Sequence, residues 1–98
     1  MRQNNEDNLV TKMDVNKVKE ILQKIYLTSP TIHLSFKEGR KKYDDVESTI
    51  TAFYNHFCQV KSHVKNYHDE TFTINYIDIV IGKFRIREVE EMYNKEEN

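Results

Sequence analysis

The spacing of apolar residues predicts a mainly β chain in which one N-terminal α-helix precedes five short strands. Two observations carry this prediction. Between Asp14 and Tyr26 the apolar residues recur with a helical period, and from Ile32 onward the period drops to two. A third observation, the placement of Pro30 and Gly39 between the apolar runs, divides the chain into short elements.

Val15, Val18, Ile21, Leu22, Ile25 and Tyr26 form one stripe on the predicted helix, with Lys17, Glu20, Gln23 and Lys24 opposite. Thr11 or Asp14 is the expected cap, and the pair has capping-box spacing. Thr28, Ser29 and Pro30 end the helix, because a residue before proline is steered away from helical dihedrals.

Ile32, Leu34 and Phe36 then alternate with polar neighbours as a half-buried strand. Lys37 to Arg40 reads as a turn, with Gly39 supplying the positive φ. Val46, Ser48, Ile50 and Ala52 mark a second strand rich in β-branched residues. Tyr54 to His56 interrupts the pattern, and Phe57 to Lys61 resumes it as a third strand. Ser62 to Asp69 is polar and loop-like. Phe72, Ile74 and Tyr76 give the clearest alternation, Ile77 to Ile81 suits a short buried turn, and Phe84 and Ile86 begin a last strand that can extend to Val89.

Five short strands and a modest core favour a sheet that closes on itself, since closure removes exposed edges. A small SH3-like five-stranded barrel preceded by one N-terminal α-helix is the expected fold. The short barrel segment and the turn before the last strand favour it over an OB-fold. Residues 1–13 are expected to be a polar, disordered tail and 14–90 the domain. Residues 91–98 are expected to be an acidic tail that frays or adds a short helix.

With 98 residues the chain has room for one domain. Its formal net charge of −1 lacks the general basic excess of many nucleic-acid binders, which leaves local patches as the place to look. A single cysteine, Cys58, precludes an internal disulfide and suits a reducing compartment. Residues 1–14 contain no apolar run of signal-peptide type, and no run approaches a membrane span. A cytoplasmic protein without membrane contact is expected.

Several residues and stretches resemble the Veg family of Gram-positive regulatory proteins. Glu70 to Ile86 (ETFTINYIDIVIGKFRI) is similar to the family's closing motif through Asn75, Tyr76, Asp78, Ile79, Phe84 and Ile86. Val15 to Leu22 (VNKVKEIL) resembles its opening helix, Lys37 to Lys42 (KEGRKK) its basic turn, and Ile50 to Val60 its hydrophobic strand. The likeness runs over roughly residues 15–87 in matching order, with Asn55 standing where the family has proline. It implies a small SH3-like barrel with no catalysis and no cofactor. It also implies a regulatory role tied to biofilm formation, exerted on a transcriptional regulator as protein partner.

The residues themselves offer one candidate surface. Arg40, Lys41 and Lys42, joined by Lys37, form the densest basic run, suited to an acidic protein surface or to nucleic-acid phosphates. Its plain alternative is a solvated hairpin tip that guards an edge. Lys65, with Lys61, His63 and His68, extends the patch if the two loops meet. Tyr67 is the aromatic most suited to exposure, while Tyr43, Tyr54 and Tyr76 are candidates for an aromatic groove, Tyr76 being in phase with the core.

Other groups read as structural. Four histidines and Cys58 lack the paired short spacings of a structural zinc site, so no metal is expected. Cys58 reads as a small buried side chain and Asp78 as a turn cap. Asp44, Asp45 and Glu47 read as a solvated strand face. No acid–base or nucleophilic constellation follows from the spacing, so the chain is expected to be non-enzymatic. A homodimer formed through the helix stripe stays open.

Overall fold

The computed structural model describes residues 14–63 and 69–97. Helix α1 spans Val15–Thr28. Asp14 caps it, its side chain accepting from the Lys17 N–H at 2.8 Å. The Ser29 N–H donates to the Ile25 carbonyl at 2.9 Å, and Pro30 follows. The predicted stripe is the packing face: Val18, Ile21, Leu22 and Ile25 are buried, each contributing about 1.5–3 kcal/mol as an upper estimate. Thr11, the other candidate cap, lies outside the described residues.

The sheet contains β1 (Thr31–Glu38), β2 (Lys41–Phe53), β3 (Phe57–Ser62), β4 (Glu70–Asn75) and β5 (Phe84–Ile86). Every pairing is antiparallel, in the order β4-β3-β2-β1-β5. The short helix α2 (Tyr76–Val80) carries the chain from one edge to the other, and α3 (Arg87–Glu97) follows β5.

The sheet curls strongly. Phe36 on β1 touches Phe84 on β5 at 5.2 Å and Phe72 on β4 at 5.0 Å between ring centroids. In a flat sheet three strand spacings of about 4.8 Å would separate β1 from β4. Hydrogen bonds do not complete the closure, so β4 and β5 remain the two edges of an open five-stranded sheet. The expected N-terminal helix and five strands are present, and the sheet curls until phenylalanine contacts bridge its seam without hydrogen-bonded closure.

Three further expectations are corrected. Strand β2 begins at Lys41 rather than near Val46, and Lys37 and Glu38 belong to β1, so the turn narrows to Gly39 and Arg40. The early part of β2 is concealed in the sequence because its register shifts between Leu34 and Phe36, where Asp45 takes φ 49° and the alternation breaks. Ile77 to Ile81 is not a uniformly buried turn. In α2 the helical period buries Tyr76 and Ile79 and leaves Ile77 exposed, as is Ile81 at its C-cap. The last strand stops at Ile86, and residues 87–97, which include most of the acidic tail, are helical. Val89 and Tyr93 lie at i, i+4 spacing and are buried in the shared core.

The buried polar pair Ser48 and Ser62 is satisfied internally. Ser48 Oγ donates to the Val46 carbonyl at 3.0 Å and accepts from Ser62 Oγ at 2.8 Å. The Tyr76 hydroxyl binds the Tyr54 carbonyl at 2.5 Å and the Phe57 carbonyl at 2.8 Å, tying α2 to the β2–β3 connection. No helix among the described residues is long and apolar enough to cross a membrane.

Candidate functional site: a basic groove beside the first hairpin

The β1–β2 hairpin brings part of the predicted basic run into a defined place. Gly39 turns the chain at φ 62°, a left-handed value that suits glycine. The register then sets Glu38 opposite Lys41, Lys37 opposite Lys42, and Phe36 opposite Tyr43. Phe36 and Tyr43 stack with centroids 4.6 Å apart and planes 14° apart. The ring pair supports two lysines that repel one another across the ladder.

The other wall comes from the connection into β5. Gly82, at φ 86°, ends α2 with its N–H on the Ile79 carbonyl at 3.1 Å. The Lys83 N–H donates to the Asp78 carbonyl at 2.8 Å. Asp78 therefore fastens this turn through its backbone oxygen rather than through the carboxylate expected to cap it. Lys83 and Arg85 are thereby brought to the side of the groove facing Lys37 and Lys42.

Between the walls lies a groove of about 420 Å³ lined by Phe36, Lys37, Lys42, Tyr43, Lys83 and Arg85, together with Ser35, Asp44 and Gly82. Two of its cations are partly neutralised. Lys42 stands 3.9 Å from Asp44, and Arg85 makes a forked pair with Glu90 at 3.0 and 3.3 Å. The bond to Glu90 holds the Arg85 guanidinium above its ordinary pKa, so its charge is permanent. Lys37 and Lys83 form no ion pair among the described residues. An aromatic floor with a cationic rim is chemically suited to an anionic group.

The predicted site residues divide three ways. Lys37 and Lys42 line the groove. Arg40 and Lys41 are exposed at the hairpin tip beyond it. Lys65 and Tyr67 lie outside the described residues, as does the meeting of their loop with the hairpin. Of the aromatic candidates Tyr43 lines the groove, Tyr76 is core, and Tyr54 is exposed with its ring tilted against Phe57 at 4.8 Å.

Lys83 and Arg85 are groove residues that sequence reasoning missed. Their alternation with Phe84 and Ile86 was visible, but the placement of β5 beside β1 was not. The acidic stretch is more than a solvated face, since Asp45 reaches Arg87 at 3.1 Å and Asp44 faces Lys42. Cys58 is fully buried as expected, and burial pushes its thiol up to about 12.

The fold and groove define a small α/β domain with a curled antiparallel sheet and one cation-rimmed aromatic groove. No protein-family model matches the chain, and no curated protein matches it significantly. The likeness to Veg rests on the motifs quoted above.

Proposed function

We propose that this protein is a non-enzymatic regulatory binding module of the cytoplasm. Its basic groove captures an acidic segment of a protein partner, and by the Veg-like motifs that partner is a transcriptional regulator of biofilm genes. The observation that carries the reading is the groove itself, where Lys37, Lys42, Lys83 and Arg85 surround the Tyr43–Phe36 stack. We read the curled sheet as an SH3-like barrel left open at one seam. The strand order and the one-turn helix before β5 support this reading.

The aromatic floor favours one second reading. A nucleic-acid base stacks on a tyrosine while its phosphates meet lysines, so the same groove suits a single strand. Affinity capture of the tagged protein from its own cells, with and without nuclease, separates the two. A transcriptional regulator retained after nuclease supports the protein reading. Capture that vanishes with nuclease favours nucleic acid, whose affinity then falls steeply with salt. The double variant Lys37→Glu, Lys83→Glu is expected to lose capture with an unchanged circular-dichroism spectrum, and undiminished capture by that variant excludes the groove.

A further inference from the structure

Strand β5 has a free edge, and its register fixes which backbone groups that edge presents. The Ile50 N–H donates to the Pro30 carbonyl at 2.9 Å, so even-numbered β1 residues bond toward β2 and odd-numbered ones toward β5. The His33 N–H points the same way and is taken by the Glu88 carboxylate at 2.7 Å. On β5, Arg85 stands opposite Ser35 and Phe84 opposite Phe36. Arg85 is therefore the residue whose backbone pairs with β1. The N–H and C=O of Phe84 and the N–H of Ile86 face the free side, where no backbone partner meets them among the described residues.

The side chains of this edge are charged in a regular way. Lys83, Arg85 and Arg87 are exposed and alternate with half-buried Phe84 and buried Ile86. That is one cation every second residue, about 6.6 Å along an extended chain. Lys83 and Arg85 line the groove, and Arg85 and Arg87 line a neighbouring depression of about 280 Å³ with Ser35, Asp45 and Glu90. Glu90 engages Arg85 through Nε and one Nη, and Asp45 engages Arg87 through one Nη at 3.1 Å. Each guanidinium keeps further N–H donors for a second acid. The other free edge, β4, contains Glu70 and neither lysine nor arginine.

We propose, resting on the acidic-segment reading above, that the partner enters as a sixth strand on the free edge of β5, an extended segment with a carboxylate at every second residue. Its intervening residues stand opposite Phe84 and Ile86 and exchange backbone hydrogen bonds with them. The carboxylates then fall opposite Lys83, Arg85 and Arg87, at the non-hydrogen-bonded positions where facing side chains come closest. The intervening side chains turn inward beside Phe84 and are small or apolar. Charge selects the edge, since Glu70 would repel the same segment on β4.

The test uses two fluorescent synthetic peptides of one composition, with glutamate alternating with threonine in the first and contiguous in the second, titrated with the natural chain. The alternating peptide should bind about 10-fold more tightly. Methylating its threonine amide nitrogens, which face β5, should weaken it about 10-fold or more, while methylating its glutamate amides, which face away, should change it little. Arg87→Gln, outside the groove, should weaken the alternating peptide about 3-fold and leave thermal unfolding nearly unchanged. Amide exchange by NMR should show Phe84 and Ile86 protected on peptide addition, with Thr71 and Thr73 of β4 unaffected. Equal binding of both peptides and indifference to methylation leave the groove reading standing and overturn strand addition. Binding of neither peptide overturns both. Protection of Thr71 and Thr73 instead, or of Phe84 and Ile86 before peptide is added because a second copy of the chain holds the edge, overturns the assignment of β5 to an acidic segment.

Discussion

Tyr76 is the side chain whose polar end does most to hold the fold's connections together. It is fully buried, and its hydroxyl reaches the carbonyls of Tyr54 and Phe57 at 2.5 and 2.8 Å. Tyr76→Phe keeps the ring, its tilted contact with Phe53 at 5.5 Å, and the packing of α2. Only the donor is lost. The Phe57 carbonyl retains the Tyr54 N–H at 2.8 Å, whereas the Tyr54 carbonyl loses the hydroxyl that bonds it. One shared proton is one hydrogen bond, with a net value of about 0.5–1.5 kcal/mol, and a partly orphaned carbonyl adds to it. The expected loss is therefore about 1–2 kcal/mol. For a domain of this size each kcal/mol moves the midpoint by roughly 4–8 °C. Urea unfolding followed by circular dichroism measures the first quantity and a thermal scan the second. Tyr54→Phe is the control, since that ring is exposed, and it should change stability by less than about 0.5 kcal/mol. A Tyr76→Phe variant as stable as the natural chain would refute the reasoning, because the hydroxyl would then contribute nothing beyond what water supplies.

Other perturbations follow from the same packing. Leu22→Ala, in the fully buried stripe of α1, should cost about 2–5 kcal/mol by urea unfolding, against little change for Leu27→Ala, whose side chain is 72% exposed. Asp14→Ala removes the cap on the Lys17 N–H and should cost about 1 kcal/mol in the same assay. Stability should also fall at alkaline pH. Burial raises the Cys58 thiol from 9.0 to about 12, so the unfolded chain ionises first and gains stability as pH rises. The contribution is fully present below pH 9 and lost between there and about 12, roughly 2 kcal/mol of it by about pH 10.5 at about 1.4 kcal/mol per unit. Tyr76, raised by burial as well, steepens the same limb. Cys58→Ala should flatten that limb in unfolding measured across pH, and an unaltered slope would contradict the assigned cause.

What could be read from the sequence was local order. The α1 stripe, its Asp14 cap and the strands around Leu34, Val60 and Ile74 all follow from spacing, because one face of each element meets the core. What could not be read depends on which strand lies beside which. The β2 bulge at Asp45 hid the first third of that strand, since a left-handed residue resets the alternation without leaving a glycine as a marker. Helix α3 was legible only in part, as one of two states expected of the acidic tail. Its charged sequence offers Val89, Met92 and Tyr93 as its apolar positions, a single i, i+3, i+4 set that packs against β1 and α1.

The candidate site was legible in part for the same reason. Lys37 and Lys42 come from one hairpin, whose pairing is nearly implied once Gly39 is read as its turn. Lys83 and Arg85 join them only because the chain crosses from β4 to β1's free side through α2. Phe36 links the two facts. Its ring is the floor beneath Tyr43 and also the hub that draws Phe72 and Phe84 together across the seam. Curling the sheet and forming the groove are thus consequences of one buried ring. Truncating it should weaken the domain and spread the groove cations apart together, whereas charge changes at Lys37 and Lys83 should alter the groove alone.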